Sequence, residues 1–205
     1  MFLNKTVFKK WIKEAYNHGA LRVGRIFDGF VLSGSYWIVW AVEDDMPNWI
    51  KAAVIEYAGS LPEQGEFVRM QKNELTQHIF ADDMYDLPKR FLEANVAYTV
   101  TPVVCGGKYN TYRLLQEKEG LGIIALMEDA YSVIDFSNLG KSDRKPEGIA
   151  ENRPAGPAAL SRGGEILYWK NEQSALAICT ARISDGTIQK VISQVSVIDF
   201  GKEGK

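Results

Sequence analysis

Histidine and cysteine are scarce in this 205-residue chain, which holds two of each. Two cysteines are too few for the disulfide framework of a small secreted domain. Neither Cys105 nor Cys179 has a Cys-x-x-Cys partner, which excludes a zinc knuckle. Each ends an apolar run, as a buried free thiol does in a reducing compartment. The start, Met1-Phe2-Leu3-Asn4-Lys5, leads into a basic amphipathic pattern and lacks the continuous apolar core of a signal peptide. No stretch approaches the ~18 apolar residues that a membrane helix needs. A cytoplasmic protein with no membrane contact is expected.

Catalytic signatures are missing as well. There is no GxSxG, no Walker A sequence and no GxGxxG. Gly106-Gly107-Lys108 reads as hairpin chemistry. The acid pairs Asp44-Asp45, Asp82-Asp83 and Glu128-Asp129 fall near turns or helix starts, where carboxylates commonly cap or face water. His18 ends the first helical pattern, where the helix dipole favours a cation. His78 and Asp82 would share a helical face, but no third metal ligand has suitable spacing. No catalytic residue, metal or cofactor is assigned, and the balance leans against an enzyme.

What is present is an ordinary globular composition, 46% hydrophobic and 24% charged. Apolar residues at Val7, Phe8, Trp11, Ile12, Ala15 and Tyr16 predict a helix over 6–17. Two β-rich runs flank Asp28-Gly29, a strong hairpin signal. Aromatic and β-branched residues over 36–42 predict a buried strand. Residues 47–58 suit a helix better than a strand, with Gly59 at its end. A strand over 66–71 and a short helix over 88–94 follow.

After residue 95, strand-like runs over 96–104, 109–116, 121–127 and 131–136 predict an antiparallel meander. Residues 137–164, rich in proline and glycine, predict a long loop. Strands are expected again over 165–170, 175–182 and in a last run ending near Phe200, with Asp185-Gly186 as a turn. The expected fold is α+β. A mixed helix/antiparallel-sheet half, 1–95, precedes a β-meander-rich half, 96–205. The pentapeptide Ser132-Val133-Ile134-Asp135-Phe136 recurs as Ser196-Val197-Ile198-Asp199-Phe200. That echo raises a second arrangement, two structurally similar α/β halves.

A net charge of −2 argues against a simple basic nucleic-acid binder. The charge is divided, however: +4 over 1–40, −7 over 43–86 and +1 over 87–205. Lys9, Lys10, Lys13, Arg22 and Arg25 are candidate phosphate contacts, with DNA the expected partner of helix 6–17. The polarity also suits self-association of opposite charges. Tyr36-Trp37-Ile38-Val39-Trp40 is apolar on both strand faces and needs cover on both. Trp37, Trp40 and Trp49 are candidate interface residues, with core packing the plainer alternative. These features favour a non-catalytic intracellular binding or assembly protein. A sharper form is a DNA accessory protein working as an oligomer, by fold-level analogy with sliding clamps. The alternative is a hydrolase or nucleotide-processing enzyme with a carboxylate/His site under loop 137–164. A third expectation is a protein partner held by that loop.

Overall fold

The computed structural model describes residues 1–135 and 154–201. The first helix, α1 (Lys5–Asn17), starts where Asn4 Oδ1 accepts from the backbone of Thr6 and Val7, at 3.1 and 3.2 Å. Such a cap satisfies donors that the first turn leaves unpaired. Then come β1 (Leu21–Ile26), β2 (Gly29–Ser33), β3 (Trp37–Ala41), α2 (Asn48–Ala58), β4 (Phe67–Met70) and β5 (Gln77–His78). Helix α3 (Leu87–Glu93) leads to β6 (Val96–Gly106), β7 (Thr111–Glu117), β8 (Ile123–Met127) and α4 (Glu128–Tyr131). The described chain closes with β9 (Ala155–Ala159), β10 (Ile166–Lys170), β11 (Ser174–Cys179) and α5 (Gly186–Val195).

All eleven strands form one antiparallel sheet, in the order β5-β4-β1-β2-β3-β11-β10-β9-β6-β7-β8. Three meanders therefore lie side by side: β1-β2-β3, β9-β10-β11 and β6-β7-β8. The sheet curls strongly beyond β3. Ala125 of β8 bridges Ala181, just past β11, and the Ala181 N–H donates to the Ala125 carbonyl at 2.8 Å.

One sheet face packs on α1 and α2. There Leu21, Val23, Phe30, Leu32, Trp37 and Val39 meet Phe8, Trp11, Ile12, Ile50 and Val54. The same core continues past residue 95 through Tyr98, Leu115, Leu126, Leu167 and Leu176. Residue 95 thus marks a change of strand grouping within a continuous core. The other face carries Val31, Ile38, Trp40, Phe67 and Tyr168, packed with Tyr85, Leu87 and Phe91 on and beside α3. That two-sided cover is why the 37–41 strand is apolar at every position. A third cluster seats Ile188 and Val195 of α5 on Cys105, Leu114 and Ala125.

The α+β class holds, strand-rich and built on one large antiparallel sheet. Several local expectations change. The β1–β2 register pairs Ile26 with Gly29, so the two-residue turn is Phe27-Asp28, both at φ 53°. Residues 131–136 were expected as a strand, but Tyr131 ends α4 and Ser132 caps it. The last run is helical too. Asp185 is the N-cap of α5, accepting from Thr187 N at 2.8 Å, and Ile188, Val191, Ile192 and Val195 keep helical spacing. Both copies of the echo are therefore helix ends. Ser132 and Ser196 share φ/ψ values of −65°/−11° and −64°/−11°. Each hydroxyl donates to the carbonyl three residues back, at 2.7 Å to Asp129 and 2.9 Å to Ser193. Strand propensity in Val-Ile was overridden by the helix running into it.

The expected loop 137–164 contains a strand. Residues 155–159 form β9, between β10 and β6, and Pro157 sits at a shift of register where no ladder N–H is needed. Residues 137–153 of that loop, and Phe136, lie outside the described residues.

Candidate functional site

Helix α1 buries Phe8, Trp11, Ile12 and Ala15 and turns its charged side to solvent. Lys9, Lys10 and Lys13 are all exposed there. Lys5 joins them, and Lys5, Lys9 and Lys13 fall on one four-residue stripe. The sequence reading missed Lys5 because it began the helix one residue late. Among the described residues, Lys10 is the one of these with a carboxylate near, Glu14 at 3.8 Å, an exposed pair of small energetic value.

An aromatic cluster holds this helix in place. Phe8 and Trp11 meet Trp37 at ring-centroid distances of 5.1 and 5.8 Å, and Trp11 meets Tyr36 at 5.3 Å. Phe8 meets Trp49 at 6.1 Å and Tyr16 stacks on Tyr57 at 4.5 Å. Those last two contacts make α1 and α2 run side by side in the same direction. Trp37 and Trp40 are 3% and 7% exposed, each on a different sheet face, and Trp49 is half-buried against Phe8. Among the candidate interface tryptophans, only Trp49 retains appreciable solvent contact. Burial, with the charges of Glu14 and Asp129, pushes the Tyr36 hydroxyl up to about 12.

The two arginines part company with the lysines. Arg25 Nη2 pairs with Glu43 at 2.5 Å, which neutralises it locally. Arg22 alternates with Leu21 and Val23, so it lies on the face away from α1. The acidic 43–86 segment contributes Glu43, Asp44 and Asp45 just before α2.

The chemistry-bearing residues remain dispersed. His18 is the C-terminal residue of the α1 cap and is exposed. His78 is on a strand and exposed, its Nδ1 3.7 Å from Glu66 Oε1. It borders an open groove of about 420 Å³ with Ser60, Glu63, Glu66 and Thr76. Asp82 instead caps a 3-10 turn through Met84 N at 2.8 Å, so the helical face once expected for His78 and Asp82 does not form. Asp83 pairs with Lys89 at 3.0 Å, and Glu128 binds Arg113 through both oxygens. Among the described residues, no three His, Cys, Asp or Glu side chains gather as a metal site. Gly107 N donates to Asn110 O at 2.8 Å, the hairpin chemistry expected of Gly106-Gly107-Lys108.

No known family, curated protein or solved structure matches this chain. Among the described residues, no helix is long and apolar enough to cross a membrane. The lysine face of α1 is a cationic stripe on a helix whose buried side packs against aromatic rings.

Proposed function

We propose that this chain is a non-catalytic binding and assembly protein that contacts duplex DNA phosphates through α1, working as an oligomer in the manner of a clamp-like accessory protein. The observation that carries this reading is the α1 stripe. Lys5, Lys9 and Lys13 are exposed, and among the described residues none has an ion-pair partner. Unpaired lysines at regular spacing on a rigid helix neutralise phosphates and release counterions. Residues 1–40 carry a net +4 against −7 over 43–86, and Glu14 beside Lys10 is the one acid on α1, so the lysine side of the helix keeps a positive field. The same separation of charge supports assembly between copies.

The test is duplex DNA binding by fluorescence anisotropy across salt, with Lys5, Lys9 and Lys13 all changed to glutamine. Each phosphate contact contributes about 0.9 to the slope of log affinity against log salt, so three contacts contribute about 2.7. The parent then loses about 40-fold more affinity than the variant between about 50 and 200 mM salt. An unchanged slope in the variant, or a parent without salt-sensitive binding, refutes the DNA reading. Light scattering of the parent alone tests assembly, and a monomer at all concentrations refutes that part. A protein partner on the 137–164 segment must be tested by point substitutions, since deleting 141–163 would remove β9.

A further inference from the structure

The sheet face away from α1 carries a second cationic feature that the α1 surface does not use. Arg22 of β1 stands directly opposite Arg69 of β4 on one side and Ser33 of β2 on the other. All three alternate with residues of the α1-side core, namely Leu21, Val23, Leu32, Val68 and Met70. They therefore share the opposite face. Like charges directly opposite across two strands oppose pairing. Among the described residues, neither guanidinium has a carboxylate partner.

Both arginines are tethered at the α1–β1 turn. Arg69 Nε donates to Gly19 O at 2.7 Å and Nη2 to Gln71 Oε1 at 3.4 Å. Arg22 Nη1 donates to Ala20 O at 3.4 Å. Among the described residues, these bonds use the fewer of the guanidinium N–H groups and leave the rest available. Ser33 is 1% exposed, and among the described residues its Oγ has no hydrogen-bond partner. A buried hydroxyl in that state costs free energy, and native proteins rarely leave one.

Two facing guanidiniums beside an unpartnered hydroxyl are a donor set for a tetrahedral oxyanion. We infer that Arg22, Arg69 and Ser33 form a binding site for a phosphate group, separate from the α1 surface. Bound phosphate neutralises the facing charges and gives the Ser33 hydroxyl an acceptor. The group can arrive as inorganic phosphate or on a mononucleotide.

Thermal unfolding of the full chain tests this, with inorganic phosphate replacing chloride at constant ionic strength. The parent should show a saturable rise in Tm, and Arg22→Gln should abolish it. Without phosphate, Arg22→Gln should unfold at the parental temperature or above, because the facing charge is gone. A purely structural arginine would instead lower Tm with phosphate still effective, which overturns the proposal. Ser33→Ala should weaken phosphate and leave the phosphate-free Tm undiminished; an undiminished phosphate response also counts against the site. A nucleoside monophosphate that saturates at lower concentration than phosphate, with its nucleoside inert, identifies a nucleotide. Equal potency identifies free phosphate. Because Arg69→Gln also loses the Gly19 bond, Arg69→Lys serves as the second variant and should bind phosphate more weakly than the parent. Loss of duplex DNA binding in Arg22→Gln, matching that of the lysine variant, would make this a DNA backbone contact and overturn a separate site.

Discussion

Replacing Gly29 with alanine should destabilise the protein by about 2–4 kcal/mol, although the φ of Gly29 is not in the left-handed region. The turn strain sits on Phe27 and Asp28, both at φ 53°. Gly29 is needed for a different reason. A Cβ there would lie 2.4 Å from Trp40 Nε1 and 2.6 Å from Ala41 O. The indole has little freedom to withdraw, because Nε1 donates to Phe27 O at 3.0 Å and the residue is buried on the α3 side. Overpacking a core costs about 1–3 kcal/mol, and losing the indole hydrogen bond adds about 1 kcal/mol. Urea unfolding followed by tryptophan fluorescence measures the sum. Trp40→Phe removes Nε1 and the pyrrole edge, so the double variant should recover part of the loss, a coupling of about 0.5–3 kcal/mol. Asp28→Gly should change stability by less than about 1 kcal/mol, because relief of the positive φ opposes glycine's greater unfolded-state entropy. Gly29→Ala within about 0.5 kcal/mol of the parent, or an additive cycle with Trp40→Phe, refutes the packing argument.

Asp185→Ala should cost about 1 kcal/mol by leaving the first N–H groups of α5 unsatisfied, with lost ellipticity at the helix band; no change would remove Asp185 as the cap. Burial holds the Tyr36 pKa at about 12 in the folded chain, above the ordinary tyrosine value of about 10. Between those values the unfolded chain binds fewer protons than the folded one, so its stabilising share is present below pH 10 and is lost as pH rises toward 12. Tyr36→Phe should flatten the fall of unfolding free energy through that window, and an unchanged slope refutes the assignment. Burial also raises Tyr98, Tyr131 and Tyr168, so a residual slope should remain.

Local patterns made much of the first half readable. The amphipathic spacing of α1, the helix ended by Gly59 and the two-faced strand 37–41 are all found as expected. The errors came where a short apolar string has two local meanings. Ser-Val-Ile-Asp-Phe has the composition of a strand, yet both copies follow a helix and end it with a serine cap. Asp185-Gly186 reads as a turn but is a helix start, because Ile188 and Val195 find a sheet surface to cover. The lysine face was legible from periodicity. The Arg22–Arg69–Ser33 row was not, because Arg69 lies far along the chain and only register brings it opposite Arg22.

By itself, the sequence determined which segments could bury one face, where helices could start and stop, and which lysines share a helical side. Those properties depend on residues a few positions apart, whose geometry the backbone sets locally. Only the tertiary structure decided that β11 inserts beside β3 and that the sheet curls until β8 reaches Ala181. It also decided that Trp37 and Trp40 are enclosed on opposite faces, and that two arginines and a serine stand in one row. Such pairings join residues distant in sequence, whose contacts form only when burial of the whole sheet outweighs the entropy of closing the chain between them.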